Sequence, residues 1–404
     1  MLDVAAQHAR VLSGMRPTGR LHLGHYHGVL KNWVELQHEY QCFFFVADWH
    51  ALTTHYDDPS MVPQSTWNMV IDWLAAGVDP KKATVFVQSH VAEHAELHLL
   101  LSMITPLGWL ERVPTYKDQQ EKLKEKDLST YGFLGYPLLQ AADILVYRAG
   151  MVPVGEDQVV HVELTREVAR RFNHIYGREP DFEEKAEQAV KKMGKKNAKA
   201  FNGLRRTYQE QGDSEALAAA RALLESQQNI GAADRDRLFG YLEGGGRVIL
   251  PEPQPLLTKA SKMPGLDGQK MSKSYDNTIP LDASPEAVEK QMRTMPTDPA
   301  RVRRNDPGNP DICPVWQFHE VYSDENTRDW VQQGCRSAGI GCIECKQPVI
   351  DAVLEELWPM QQRGHEYAAQ PDLVREIIDE GCERARVVAR ETMAEVRQAM
   401  SLSY

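Results

Sequence analysis

Apolar strand-like runs alternate with helix-like stretches between residues 10 and 90. The strand-like runs lie at Val11-Leu12, at residues 43–47 and at residues 84–87, and the helix-like stretches cover residues 26–39 and 63–76. This alternation predicts β-α-β-α-β units, and hence an α/β fold with a Rossmann-like, doubly wound parallel sheet. Such sheets bind ligands at the carboxyl ends of their strands, so polar residues that directly follow a strand are the first candidates for a site.

The chain is long enough for more than one domain. Its 404 residues exceed what one hydrophobic core usually supports, and its 42% hydrophobic and 25% charged residues are typical of globular proteins. Residues 178–247 are polar and rich in Lys, Glu, Gln and Ala, which predicts a mostly helical insertion. Only helical periodicity appears after about residue 284. We therefore predict a Rossmann-like domain (1–177), the insertion (178–247), the end of the Rossmann-like domain (248–283) and an α-helical C-terminal domain (284–404).

Charge and hydropathy exclude several classes of protein. The net charge of −11 argues against a protein that coats nucleic acid indiscriminately. Basic runs at residues 191–196, 205–206 and 301–304 leave two interpretations open, a local RNA contact or an ordinary solvated face. The sequence has no apolar run of membrane-spanning length, and its N-terminus lacks a basic segment followed by an apolar one. We therefore expect a cytoplasmic protein with no membrane partner.

Two short peptides, far apart in the sequence, predict a nucleotide site. His22-Leu-Gly-His25, the histidine signature, lies where the first strand meets the first helix, and Lys270-Met-Ser-Lys-Ser274, the lysine loop, lies in a Gly- and Ser-rich segment. Gly24 has no Cβ, so an adenine ring could lie on the backbone there, and imidazoles at a helix N-terminus favour phosphate. Two ammonium groups on a loop suit the β- and γ-phosphates of a nucleotide. The alternative is a pair of turn histidines and a pair of solvated lysines.

A polar group on an apolar helix predicts a pocket for an amino acid. Tyr136, Gln140 and Asp143 recur at i, i+4 and i+7 and therefore share one helix face. A buried carboxylate is costly unless a donor meets it. Asp143 would accept a hydrogen bond from the side chain of a bound aromatic amino acid, with Tyr136, Gln140 and Gln158 around the ammonium group. A structural polar cluster is the alternative.

Further candidates stand at the ends of predicted strands. Asp48-Trp-His50 follows one strand, and Gly155-Glu156-Asp157 follows another. The glycine permits close approach of a ligand, and the Asp157 carboxylate can accept from ribose hydroxyls.

Four of the six cysteines cluster late in the chain, at Cys313, Cys335, Cys342 and Cys345. Cytosolic proteins rarely keep disulfides, so clustered cysteines indicate metal or cluster ligation. A 4Fe–4S cluster takes four thiolates, and a structural zinc site can take the same four. Free thiols are the third interpretation. His90, His94 and His98 also recur on one helix face, but no carboxylate or cysteine completes a metal site there.

The histidine signature and the lysine loop resemble the HIGH and KMSKS peptides of class I aminoacyl-tRNA synthetases. Outside residues 178–247, nearly the whole chain is similar to bacterial tryptophanyl-tRNA synthetases. The runs that carry the similarity are residues 135–145, 152–158, 161–166, 381–386 and 397–400. Residues 306–313 and 340–346 resemble an iron–sulfur subgroup of that family, which favours iron over zinc.

The resemblance implies a role for individual residues. Asp143 would bind the indole N–H of tryptophan, and the rest of that pocket would be Tyr136, Gln140, Gln158, His50, Val152 and Val154. ATP would be bound by Gly14, Arg16, Pro17, Thr18, Gly24, His25, Gly155, Glu156, Asp157, Lys270, Met271, Ser272, Lys273 and Ser274. The catalytic groups would be His22, His25, Lys270 and Lys273. The 4Fe–4S cluster would be held by Cys313, Cys335, Cys342 and Cys345.

The same resemblance implies a reaction and its partners. The expected enzyme activates L-tryptophan with ATP and Mg²⁺ and transfers it to tRNA(Trp), as a homodimer formed through the helices around residues 91–125. Arg16, Gln140 and Leu12 depart from the residues that many relatives carry, and Gln140 makes the pocket more tyrosine-like. A tyrosine-specific synthetase and a catalytically silent iron–sulfur tRNA-binding protein therefore stay open as alternatives.

Overall fold

A fully parallel sheet lies at the centre of the molecule. The structure, a computed structural model, describes residues 10–113, 128–155, 158–177, 181–257 and 263–403. Within these residues, five strands run in the spatial order β3-β2-β1-β4-β5, and every pairing is parallel. The strands are β1 (Arg10–Met15), β2 (Gln41–Val46), β3 (Ala83–Val87), β4 (Met151–Val154) and β5 (Gln254–Leu257). The predicted doubly wound parallel sheet is confirmed, and its direction of winding changes between β1 and β4, where such folds bind ligands.

Helices cover both faces of the sheet and make up the C-terminal part of the chain, as predicted. A π-helical turn at Tyr26–Leu30 joins α1 to α2. The helices are α1 (Leu23–His25), α2 (Lys31–Leu36), α3 (Asp48–His55), α4 (Val62–Ala76), α5 (Glu93–Ser102), α6 (Leu107–Glu111), α7 (Tyr131–Val146), α8 (Val159–Tyr176), α9 (Phe182–Lys192), α10 (Lys195–Gln211), α11 (Ser214–Glu225), α12 (Ala232–Leu242), α13 (Pro285–Thr294), α14 (Pro314–Tyr322), α15 (Glu325–Arg336), α16 (Cys342–Ala368) and α17 (Pro371–Ala399). No helix in the described ranges is long and apolar enough to cross a membrane.

The sequence of the inner strands explains why they are buried on both faces. All five residues of β3 are buried, as are Cys42–Val46 of β2, and parallel strands covered by helices have such continuous apolar runs. Aromatic side chains fill the layer between strand and helix: Trp33 stacks on Phe44 with 4.2 Å between ring centroids, and Trp73 meets Trp33 edge-on at 5.0 Å. This core fixes the loops that leave the carboxyl ends of β1, β2 and β3.

The segment predicted as an insertion forms helices α9 to α12. These helices bury a cluster of their own, separate from the main core, with Phe201, Leu224, Leu238 and Leu242 fully buried at its centre. The chain leaves the sheet domain at Gly177 and returns at Arg247, whose backbone N–H donates to the Gly177 carbonyl at 2.8 Å. The helical character agrees with the sequence, whereas the division of the chain into four domains stays a prediction.

Helix α17 packs directly on β3 through a glycine. A Cβ at Gly381 would overlap the Val85 carbonyl oxygen, which is part of the sheet backbone and cannot move aside alone. Gly203, in the middle of α10, has nothing within 4 Å of the position that a Cβ would take. A methyl group added at Gly381 would therefore collide with the sheet backbone, whereas one added at Gly203 would meet open space.

We expect Gly381→Ala to lower the free energy of unfolding by about 1–3 kcal/mol, because the helix must move off the strand. Gly203→Ala, the matched control, should raise it by about 0.5–1 kcal/mol, because alanine loses less backbone entropy on folding. Urea unfolding of both variants checks this. Equal changes in the free energy of unfolding for the two substitutions would contradict direct packing of α17 on β3.

Candidate active site

Two short segments pair and bring the histidine signature to the lysine loop. The Leu23 N–H donates to the Ile279 carbonyl at 3.0 Å, and the Leu281 N–H donates to the Leu21 carbonyl at 3.1 Å. His22 forms an antiparallel bridge with Pro280 between these two bonds. Because residues 270–274 come shortly before this pairing in the chain, the pairing brings the two signatures close together, after the carboxyl end of β1.

The two signatures also touch directly. The Lys273 ammonium donates to the Thr18 carbonyl at 2.9 Å, and the Gly24 N–H lies 3.3 Å from the Met271 sulfur. A Cβ at Gly24 would lie 2.9 Å from the His22 ring and 3.3 Å from the Met271 Cβ. The glycine is thus required for contact between the signatures, a reason that differs from the predicted adenine contact, which stays a prediction.

Both signature histidines are neutral and keep one N–H free to donate. The His22 Nδ1 accepts the Gly24 N–H at 3.2 Å, and the His25 Nδ1 accepts the His22 N–H at 3.2 Å. The proton of each neutral ring must therefore sit on Nε2. Burial lowers the pKa of His22 to about 4 and that of His25 to about 3, with the Lys273 charge as a further cause for both. Two uncharged imidazole N–H donors are thus available to phosphate oxygens.

A buried asparagine, which the sequence reasoning missed, shapes the lysine loop. Asn277 is only 2% exposed; its side chain accepts from the Ser272 N–H at 2.8 Å and donates to the Asp267 carboxylate at 2.7 Å and to the Lys270 carbonyl at 3.2 Å. Met271 is buried in the main core beside it. The loop is therefore held at its centre while Lys270 and Lys273 flank the fixed residue. Asparagine commonly organises turns in this way, so its position in a polar turn was the available signal.

Helix α4 holds the loop between β1 and the histidine signature. Ser65 accepts from the Gly19 N–H at 3.2 Å, and Asp72 accepts from the Leu21 N–H at 3.4 Å. The two side chains are seven residues apart and therefore lie on one face of the helix. Asp72 is 6% exposed, and the charges that face it are those of Arg20, Lys273 and Asp282. The sequence reasoning missed both residues, because each belongs to an otherwise ordinary amphipathic helix.

Asp143 is a buried carboxylate with three hydrogen-bond donors. It is 1% exposed and accepts three hydrogen bonds of 2.7 Å, from Gln88 and His94 on Oδ1 and from His50 on Oδ2. Burial alone would raise its pKa, but His50 and His94 together lower it far below the usual range, so Asp143 is ionised. A carboxylate has about four acceptor positions. One position, on Oδ2, is left for a single further donor.

His94 belongs to this network and not to a metal site. Its Nδ1 lies 2.7 Å from Asp143, and its Nε2 lies 2.7 Å from the Tyr147 hydroxyl. Burial raises the pKa of Tyr147 well above its usual value, so the hydroxyl stays protonated beside the His94 ring. Gln88 and Tyr147 were missed from the sequence, and His94 was considered there only as a metal ligand. Gln88 directly follows β3, so the strand-end rule pointed to it.

The other residues predicted for the tryptophan pocket differ in their position and in how deeply they are buried. Val152 and Val154 are buried on one face of β4, and His50 lies in the first turn of α3. Tyr136 and Gln140 are half-buried on α7. Glu156 and Asp157, predicted for ribose, lie outside the described residues, as does the side chain of Ser274.

Arg16, predicted to bind ATP, lies near enough to Tyr136 of α7 to interact electrostatically. Desolvation lowers the pKa of the Arg16 guanidinium, and Tyr136 opposes this shift. Gly14 has a packing role of its own, because a Cβ there would overlap the Phe45 ring. The arrangement therefore places a basic loop, two imidazole donors and the Asp143 network in one region at the switch of the sheet.

The four late cysteines lie near one another in the helical domain. All six cysteines of the chain are described, and each is a free thiol. Burial, followed by the neighbouring Cys313, Cys335 and Cys342, raises the pKa of Cys345 to about 12. In the described ranges, however, no group of three or more His, Cys, Asp or Glu side chains is arranged to hold a metal ion. The thiols are thus close enough to interact electrostatically, without the arrangement of a metal site.

A five-stranded parallel sheet that brings HIGH-like and KMSKS-like peptides together defines the catalytic domain of a class I aminoacyl-tRNA synthetase. The family model for class I tRNA synthetases of the tryptophan and tyrosine group matches residues 5–200 and 218–357. A tryptophan–tRNA ligase of Ralstonia nicotianae is 71% identical over 98% of this chain and 99% of its own length. The corresponding ligase of Thermotoga maritima is 45% identical over 98% of this chain and 100% of its own.

Comparison with solved structures indicates the same family. Tryptophanyl-tRNA synthetase from Campylobacter jejuni, solved with ADP and tryptophan, superposes with a TM-score of 0.72 at 28% identity, over 97% of this chain and 100% of the other. The chain therefore belongs to the bacterial tryptophanyl-tRNA synthetase family.

The raised pKa of Asp72 predicts how the stability of the protein changes with pH. Burial, followed by the nearby Asp282, raises the pKa of Asp72 to about 7. The native state therefore holds a proton that the unfolded state releases between about pH 4 and 7, and the stability from this group falls as pH rises through that window. Asp72→Asn removes the titration. As pH rises from 4.5 to 8, the free energy of unfolding of the variant should increase by on the order of 1 kcal/mol or more relative to that of the parent protein.

Urea unfolding of the parent and variant proteins at both pH values measures this difference. The depressed pKa values of His22 and His25 have the opposite effect on stability, but they are common to both proteins and cancel. A difference in stability that does not change with pH would contradict the burial of an ionisable Asp72.

Proposed function

We infer that this chain activates L-tryptophan with ATP and then ligates it to tRNA(Trp). The observation that carries this inference is the convergence of the two signatures with a buried, ionised Asp143 that has one acceptor position left. The indole of tryptophan has one donor and no acceptor, so it matches that position. The ligases that are similar over nearly the whole length of the chain support the same conclusion.

In the first step, the tryptophan carboxylate attacks the α-phosphate of ATP and pyrophosphate leaves. No side-chain nucleophile is needed, because the protein contributes position and electrostatic complementarity. The Nε2–H groups of His22 and His25 are placed to donate to phosphate oxygens without adding charge. The Lys273 ammonium, which rests on the Thr18 carbonyl, would move to the leaving pyrophosphate. In the second step, the 3′-terminal ribose of the tRNA attacks the mixed anhydride and AMP leaves.

Magnesium would reach the site with the nucleotide. No group of carboxylate or histidine side chains in the described ranges is arranged to hold a metal ion. Mg²⁺ usually keeps several waters and binds substrate phosphates. It would offset phosphate charge, while the protein supplies the donors named above.

Tyrosine is the nearest competing substrate, because Gln140 makes the pocket more tyrosine-like. A phenol hydroxyl would donate to Asp143, but its own acceptor positions also need partners. The donors of Gln88, His94 and His50 that face Asp143 are already used by the carboxylate. A buried hydroxyl without a donor is penalised, which favours tryptophan. The ordered lysine loop argues against a catalytically silent protein.

Two variants separate tryptophan binding from catalysis. Asp143→Asn removes the charge that binds the indole N–H and should raise the KM for tryptophan roughly 10- to 100-fold. Lys273→Ala should lower kcat of ATP–pyrophosphate exchange by about 100-fold or more, with the tryptophan KM nearly unchanged.

Tryptophan-dependent exchange measures both variants, and the same assay with tyrosine tests the competing substrate. An unchanged tryptophan KM in Asp143→Asn, or exchange that depends on tyrosine instead, would contradict the assignment.

We propose a two-fold homodimer through the region around residues 91–125. Leu99, Met103 and Leu107 are 55%, 67% and 62% exposed, although they are large apolar side chains close together in the sequence. A patch of this kind is typical of an interface. Residues 114–125 of the predicted interface lie outside the described ranges.

We propose that Cys313, Cys335, Cys342 and Cys345 hold a 4Fe–4S cluster. The four thiols are near enough to one another for Cys313, Cys335 and Cys342 to raise the pKa of Cys345. The resemblance of residues 306–313 and 340–346 to the iron–sulfur subgroup of the family favours iron over zinc. The Arg301 guanidinium lies 3.7 Å from the Cys335 sulfur, where it would offset thiolate charge. Aminoacyl transfer moves no electrons, so the cluster would be structural or would position tRNA.

Anaerobically purified protein should be brown and absorb near 400 nm, and Cys342→Ser should remove the colour. Cys42→Ser, which changes a buried thiol in β2, is the matched control and should keep it. Colourless protein that contains zinc would contradict the proposal.

A further inference from the structure

The insertion contains a stretch with many basic residues and no acidic ones. Between Gln188 and Gln209 the sequence has seven lysines and arginines and no aspartate or glutamate. Because the whole chain has a net charge of −11, removing these seven positive charges leaves −18 for the rest. This stretch is therefore strongly basic within a chain whose remaining residues are acidic overall.

Most of the lysines in this stretch have no acidic partner. Lys192 pairs with Asp234 at 2.5 Å, and Arg206 pairs with Glu210 at 2.8 Å. Lys191, Lys195, Lys196 and Lys199 are all exposed, and none forms an ion pair within the described ranges. These four residues, named here the lysine face, lie around the corner between α9 and α10.

The helices that carry the lysine face are held in place by buried apolar side chains. Val190, Met193 and Phe201, which alternate with the lysines along the chain, are buried in the insertion's own core. Repulsion among four unpaired ammonium groups costs stability, and the core offsets that cost. A surface that concentrates like charge without internal partners is typical of a binding site for a polyanion.

We propose that the lysine face binds the phosphate backbone of tRNA(Trp), a proposal that rests on the ligase function inferred above. Lysines act as point charges on phosphates and carry no base specificity by themselves. Residues 188–209 present no exposed large apolar side chain beside these lysines, which a membrane surface would require. Charge complementarity with the nucleic acid substrate is what identifies the partner.

The position of the insertion indicates which part of the tRNA it contacts. Helix α8 starts after the carboxyl end of β4, and its 18 residues span about 27 Å to the root of the insertion near the amino ends of the strands. The reacting 3′ end must reach the carboxyl ends of the strands. The lysine face would therefore contact phosphates of the tRNA body and not its terminal nucleotides.

The test compares two full-length variants with equal changes in net charge. Lys195→Gln/Lys199→Gln removes two adjacent ammonium groups of the lysine face. Lys81→Gln/Lys290→Gln, the matched control, removes two exposed lysines elsewhere. The lysine-face variant should raise the KM for tRNA(Trp) roughly tenfold and reduce the salt dependence of tRNA binding by about 2 in log–log slope. The control should change neither, and tryptophan-dependent pyrophosphate exchange should be normal in both.

Three results would overturn the lysine face as a tRNA surface. The first is a tRNA KM equal to that of the control variant, the second is a salt slope equal to that of the parent protein, and the third is loss of pyrophosphate exchange in parallel with charging. Exchange by the parent protein tests the ligase function separately. Normal exchange with unchanged tRNA binding therefore rejects this proposal alone.

Discussion

The backbone pairing of residues 21–23 with residues 279–281 is the contact on which the active site depends. It is formed by two hydrogen bonds and one bridge, and it fixes the lysine loop beside the end of β1. Gly24 and Met271 can then touch, and Lys273 can reach the Thr18 carbonyl. Without this pairing the two signatures would belong to separate parts of the chain, and no single triphosphate would meet both. Ser65 and Asp72 of α4 and Asn277 of the loop hold the two partners in place.

Electrostatics divides this region into two chemically different halves. At the proposed phosphate site the donors would be neutral imidazoles and the Lys273 ammonium, because burial keeps His22 and His25 unprotonated at neutral pH. At the proposed amino-acid site the charge is a buried carboxylate, ionised because His50 and His94 donate to it. Under the proposed function, Asp143 would hold the indole N–H, and Gln88, His94 and Tyr147 would position it, one step removed from the substrate.

The sequence predicted the parallel sheet, the helical C-terminal part and the family, because apolar periodicity and signature peptides are local properties. It also selected Asp143, since a carboxylate on an apolar helix face needs a donor wherever the helix packs. It did not predict the partners of Asp143, because Gln88 and His94 come from other elements and meet it only after the sheet forms. Asp72 was missed for the same reason, since its partner is the Leu21 N–H. Asn277 was missed although its partners lie within its own loop. The spacing of the four cysteines predicted that they would approach one another, yet spacing cannot set the distances on which ligand geometry depends.

The proposed function requires one cleft that joins the two signatures to the Asp143 network. A crystal structure with tryptophan and a non-hydrolysable ATP analogue tests this most directly. We expect the indole nitrogen within hydrogen-bond distance of Asp143 Oδ2, and one triphosphate in contact with both the histidine signature and Lys273. A triphosphate that contacts only one signature, or an indole that binds away from Asp143, would show that no such cleft exists.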